Sequence, residues 1–133
     1  MSHDILDRYL RNIEQAVRTL AGAHVECYQE EFVSANRLNL KLRIRFQSGH
    51  LFEVSEAVIV ERGKREHLRY RYHFQDALNN IVFRYDNVPH FTKLDSFPHH
   101  RHTREGVLQT SRPELSDVIK EVRRYFSNGA VEQ

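Results

Sequence analysis

The sequence predicts an α+β fold: a two-layer sandwich whose five-stranded antiparallel sheet carries an N-terminal and a C-terminal helix on one face. Three observations predict it. Apolar residues recur at three- and four-residue spacing at both ends of the chain, as along one side of a helix. Between the ends, from 24 to 87, the period falls to two, the repeat of a half-buried strand. Every break in that middle region is a short stretch, so consecutive strands should pair antiparallel.

Residues 3–21 form the first predicted helix, with Ile5, Leu6, Tyr9, Leu10, Ile13, Val17 and Leu20 as its apolar stripe. Ser2 or Asp4 can cap its start and Gly22 can close its end. Arg8, Arg11, Glu14 and Arg18 fall on the solvated side. "VECYQEEFV" is a first, imperfect strand. In "LNLKLRIRF", Leu38, Leu40, Leu42, Ile44 and Phe46 alternate with Asn39, Lys41, Arg43 and Arg45. Ser48 and Gly49 make a turn. "LFEVSEAVIV" follows, and its phase break near Ser55, Glu56 and Ala57 predicts a bulge. After the turn "RGKRE", Leu68, Tyr70, Tyr72 and Phe74 alternate with His67, Arg69, Arg71 and His73. "DALNN" turns the chain into a fifth strand, "IVFRYDN". The second helix is "SRPELSDVIKEVRRYF", with Ser111 and Glu114 as a capping box, Pro113 in the first turn and Gly129 beyond the end. Its stripe is Leu115, Val118, Ile119, Val122 and Phe126.

A chain of 133 residues fits a single domain, 1–133, with enough buried surface for one two-layer core. No apolar run approaches the roughly 18 residues that span a bilayer, and "MSHDILDRYL" lacks a signal-peptide core. Cys27 stands alone, which excludes a disulfide framework and a cysteine metal cluster; a cytoplasmic protein with no membrane contact is expected. The net charge of +2 is too small to predict a nucleic-acid partner, but its distribution is informative. With the helices over Leu40, Leu42, Ile44, Tyr70, Tyr72 and Phe83, strand alternation sends Lys41, Arg43, Arg45, Arg69, Arg71, His73 and Arg84 to the opposite face. Lys41, Arg43, Arg45, Arg69 and Arg71 are the candidate nucleic-acid contacts. A merely solvated sheet face would look the same.

The segment "RYDNVPHFTKLDSFPHHRHT", 84–103, holds four of the nine histidines: His90, His99, His100 and His102. Three chemistries could account for them. Imidazoles beside Asp86 and Asp95 suit zinc, manganese or iron, but the spacing matches no closed structural zinc pattern. Metal-free cleavage of a phosphodiester needs a base, an acid and cations around the phosphate; histidine and arginine supply all three near neutral pH. Structural hydrogen bonding within a proline-stiffened turn would explain any one imidazole, though four exceed what a turn requires. On the second chemistry, His73, His90, His100 and His102 are the proton carriers, Arg84 and Arg71 hold the phosphate, and Asp86 orients a histidine. No cofactor is required.

Three motifs bring a family into view: Tyr72-His73-Phe74-Gln75; Arg84-Tyr85-Asp86-Asn87 followed by Pro89-His90; and Phe97 to His102. From about residue 68 to the second helix the chain resembles the TumE-type toxins, whose genes sit beside a helix-turn-helix antitoxin. Phe91 departs from the pattern, in which a second histidine follows His90. The resemblance implies a toxin neutralised by contact with its antitoxin; it supplies no mechanism. A type II toxin acting as a ribonuclease is therefore the expectation, with nucleic acid (RNA favoured over DNA) as target and a homodimer allowed. Alternatives are a metal-dependent nuclease, or a non-catalytic module that binds nucleic acid or a partner through the basic face.

Overall fold

A computed structural model of the protein describes residues 2–88 and 98–131. Helix α1 (Ser2–Arg18) precedes the strands β1 (Ala23–Ser34), β2 (Arg37–Phe46), β3 (Leu51–Glu61), β4 (Lys64–Gln75), β5 (Ile81–Asp86), β6 (His100–Thr103) and β7 (Gly106–Gln109), and α2 (Leu115–Val131) follows. The strands lie in sequence order in one antiparallel meander. The α+β class and the helix-covered face are as expected. The sheet has seven strands, not five. The two additional strands are only four residues each, too short to display a period of two, and β6 (His-Arg-His-Thr) has no apolar residue at all, which conceals them in the sequence.

The core lies between the helices and one sheet face. Leu6, Tyr9, Leu10 and Ile13 of α1 and Leu115, Val118, Ile119 and Val122 of α2 pack with Leu38, Leu40, Leu42, Ile44, Phe52, Val54, Tyr72, Phe74 and Phe83. The turns follow local chemistry. Arg62 and Gly63 both have positive φ, the conformation of a two-residue hairpin whose twist suits its strands. Gly49 is held at φ 91°, and a Cβ there would lie 2.8 Å from that of Ala77. Asp76 Oδ1 accepts the backbone N–H of Leu78 and Asn80, closing the β4–β5 turn.

Three local expectations are corrected. The bulge lies in β4, where Leu68 is the extra residue opposite Ala57 and Val58, so Leu68 faces solvent and the His67 side chain is buried. β3 keeps its parity throughout; what interrupts its pattern is Glu56, a carboxylate at a core position. Finally, α2 starts at Leu115 and runs past Gly129, and Ser111 and Glu114 form no capping box. The Glu114 carboxylate is drawn instead to Arg65 at 2.7 Å and Arg112 at 3.2 Å, while its carbonyl accepts the first helical N–H groups.

Candidate functional site

Paired residues of an antiparallel ladder share a face. The registers therefore align Gln29, Lys41, Ser55, Arg71, Asp86 and His100 in one row across the face away from the helices. The neighbouring row is Cys27, Arg43, Glu53, His73, Arg84 and His102. His73, Arg84, Asp86, His100 and His102 thus meet at one corner, over β4, β5 and β6. His90 lies outside the described residues.

Because His100–Thr103 is a strand, its side chains part. His100 and His102 join the open-face corner, while His99 and Arg101 turn toward the helices. His99 stacks on Tyr70, with Nδ1 2.8 Å from the phenol oxygen. Arg101 donates to the Tyr85 hydroxyl at 3.0 Å and to Glu121 of α2 at 2.6 Å, tying β6 to the helix layer.

Asp86 is the hub of the corner. It is 5% exposed, and His100 beside it is 1% exposed. A carbonyl can only accept, so His100 Nδ1–H donates to Pro98 O at 3.0 Å, and the ring then presents Nε2 to Asp86 Oδ1 at 2.5 Å. Asp86 Oδ2 lies 3.4 Å from His102 Nε2 and 3.8 Å from Arg84 Nε.

His73 stands on the other side of Arg84. The Gln75 amide nitrogen is committed to Asn79 at 2.9 Å, so its oxygen accepts from His73 Nε2 at 2.9 Å. That fixes the tautomer and leaves Nδ1 as a bare lone pair, buried and with no hydrogen-bond partner among the described residues. Burial, aided by the charges of Arg71 and Arg84, holds His73 below the ordinary imidazole range. Burial also lowers His102, opposed by Asp86.

Asp86, His100 and His102 offer three ligand atoms within 4.8 Å of one another, a donor set that could hold a divalent ion. Against a cation stands Arg84, a positive charge already facing the same carboxylate.

The five candidate basic contacts divide in two. Arg43 bridges Glu26 and Glu53, each at 2.8 Å, and Arg45 reaches Glu26 at 3.4 Å and the Gly49 carbonyl at 3.2 Å. Glu26 gains this position from a bulge in β1 between Val25 and Cys27. Lys41, Arg69 and Arg71 make no ion pair among the described residues and are exposed.

With this geometry in hand, the comparison with known families is decisive: the model described as "Toxin TumE" matches residues 11–128. The chain belongs to the TumE toxin family. Comparison with curated proteins and with solved structures yields no match. Among the described residues, no helix of this TumE-family chain is long and apolar enough to cross a membrane.

The TumE chain also holds a second polar cluster that the strand pattern concealed. Buried Glu56 accepts hydrogen bonds from the hydroxyls of Tyr9 and Tyr72, the latter at 2.6 Å, and from His67 Nε2 at 2.9 Å. Arg112 donates to His67 Nδ1 at 2.8 Å, which makes Nε2 the protonated nitrogen. Burial and the Glu56 charge push both phenols well above their ordinary range. The signal was available: a glutamate in phase with Phe52, Val54, Val58 and Val60 needs a buried partner.

Proposed function

We propose that this TumE toxin is the toxic partner of a type II pair with a helix-turn-helix antitoxin and that it acts as a ribonuclease at the Arg84 corner. The observation that carries the reading is the register His73–Arg84–His102, which sets an imidazole on each side of a guanidinium on three adjacent strands. Neighbouring strands are about 4.8 Å apart, so the two imidazoles stand two spacings, about 10 Å, from each other with the guanidinium between them.

In this reading Arg84 holds the scissile phosphate in its planar fork. His73 Nδ1 takes the proton of the ribose 2′-hydroxyl, and the 2′-oxygen bonds to phosphorus. The bond to the 5′-oxygen breaks, and that oxygen takes a proton from His102, leaving a 2′,3′-cyclic phosphate and a 5′-hydroxyl. Asp86, between His100 and His102, stabilises the protonated imidazole and aims it. Each proton transfer contributes on the order of 10²–10⁴-fold.

Expression without antitoxin tests this. His73→Ala and His102→Ala should each relieve growth inhibition, and the purified variants should stay folded while RNA cleavage falls by about 10²-fold or more. His100→Ala is a poorer probe than its place in an apparent loop suggested, because the buried ring is part of the structure. Full toxicity and cleavage by both variants at matched expression would remove the corner from consideration. The Asp86, His100 and His102 donor set supports a rival reading, a metal-dependent nuclease; cleavage abolished by chelator and restored by a divalent ion would favour it.

A further inference from the structure

We infer that the open face carries a phosphate track for a single strand of RNA, made by Lys41, Arg69 and Arg71 with Gln29, Asn39 and Ser55, and that it excludes Arg43 and Arg45. The inference rests on the ribonuclease reading of the Arg84 corner and assigns that site's substrate class.

Three observations carry it. First, the row Gln29–Lys41–Ser55–Arg71 runs across β1 to β4 straight into Asp86 and His100 on β5 and β6. From Lys41 to Asp86 is three strand spacings, about 14 Å. Second, the face is recessed along that line. A cleft of about 720 Å³ is lined by Gln29, Asn39, Lys41, Ser55 and Arg69, with Glu31, which accepts from Asn39 at 3.1 Å, also on its wall; a second of about 330 Å³ shares Lys41 and Ser55 and reaches Arg71. Third, availability separates the cations. Arg43 and Arg45 are already neutralised by Glu26 and Glu53, and an arriving phosphate would have to displace a carboxylate. Lys41, Arg69 and Arg71 are exposed and have no carboxylate to displace among the described residues.

The chemistry selects a single strand. Attack by the 2′-hydroxyl requires the nucleophile, phosphorus and leaving oxygen to lie in line, and an A-form duplex holds the 2′-oxygen off that line. A flexible strand reaches the geometry freely. Neither row carries a Phe or Tyr side chain on this face, so the strand is held by its backbone and not by stacked bases. Base preference along the track should therefore be weak.

The experiment is a salt titration of binding, followed by fluorescence anisotropy, with a 2′-O-methyl RNA oligonucleotide that cannot be cleaved, single-stranded or annealed to its complement. The full-length protein should prefer the single strand. Lys41→Gln, Arg69→Gln and Arg71→Gln should each weaken binding and flatten the log–log salt slope by about 0.7, the value of one phosphate on a single strand. Arg43→Gln and Arg45→Gln should leave the slope unchanged. Equal or tighter binding of the duplex overturns the inference, as do equal slope losses at Arg43 and Arg45. Either result, beside intact cleavage that depends on His73 and His102, would defeat the track and spare the ribonuclease reading. Binding as expected with no cleavage of unmodified RNA would defeat that reading and leave the track.

Discussion

At the scale of single residues, the corner and the Glu56 cluster show how a side chain's neighbours decide its role. His73 and His99 are both lowered by burial, yet His99 stacks on Tyr70 on the helix side while His73 belongs to the open-face row beside Arg84. A base below about 6.5 stays unprotonated until the pH falls beneath that value. Cleavage should therefore follow a bell-shaped profile whose acid limb lies below about pH 6.5, and His73→Ala should abolish that limb; a flat pH–rate profile would refute acid–base chemistry there. Arg84→Lys keeps the charge and loses the fork, so cleavage should fall while RNA binding largely persists. In the core, Tyr9→Phe removes one donor to a buried carboxylate and should cost about 1.5–3 kcal/mol in urea unfolding. Glu56→Ala strands three donors at once and should cost more.

At the scale of elements, the strands that alternate cleanly were legible and the interrupted ones were not. β2 declared both its faces, because Leu38 to Phe46 are buried at every second residue. β6 could not be read, since an edge-proximal strand of four residues lacks the length over which period two becomes visible. Its sequence, His-Arg-His-Thr, owes its polarity to the site on one side and to the Arg101–Glu121 contact on the other. The β4 bulge was displaced by one strand for a related reason: Glu56 imitates a phase break in β3, while the true insertion, Leu68, is apolar and imitates continuity. Turns are legible where backbone conformation dictates the residue. Gly49→Ala meets both a positive φ and the Ala77 side chain, so it should destabilise the β2–β3 hairpin by about 1–2 kcal/mol, measurable as a lower urea midpoint with unchanged slope.

At the scale of the whole molecule, site and stability are linked through protons. His50, His73, His99 and His102 are all held below the ordinary imidazole range by burial. The unfolded chain takes up its protons first as pH falls through about 6.5, so stability should be full above that value and decline below it, until the folded state protonates too. Thermal melts from pH 8 to 5 should show a falling midpoint; a midpoint that rises on acidification would contradict the burial of these rings. The meander has a further consequence, for synthesis. Because each strand pairs with the one before it, the sheet can grow in the order in which the ribosome delivers it, with little long-range search. The corner is completed only when β6 adds His100 and His102, and β6 is fastened by Arg101 to Glu121 in the last helix. A nascent chain therefore carries its basic face long before it carries an assembled corner.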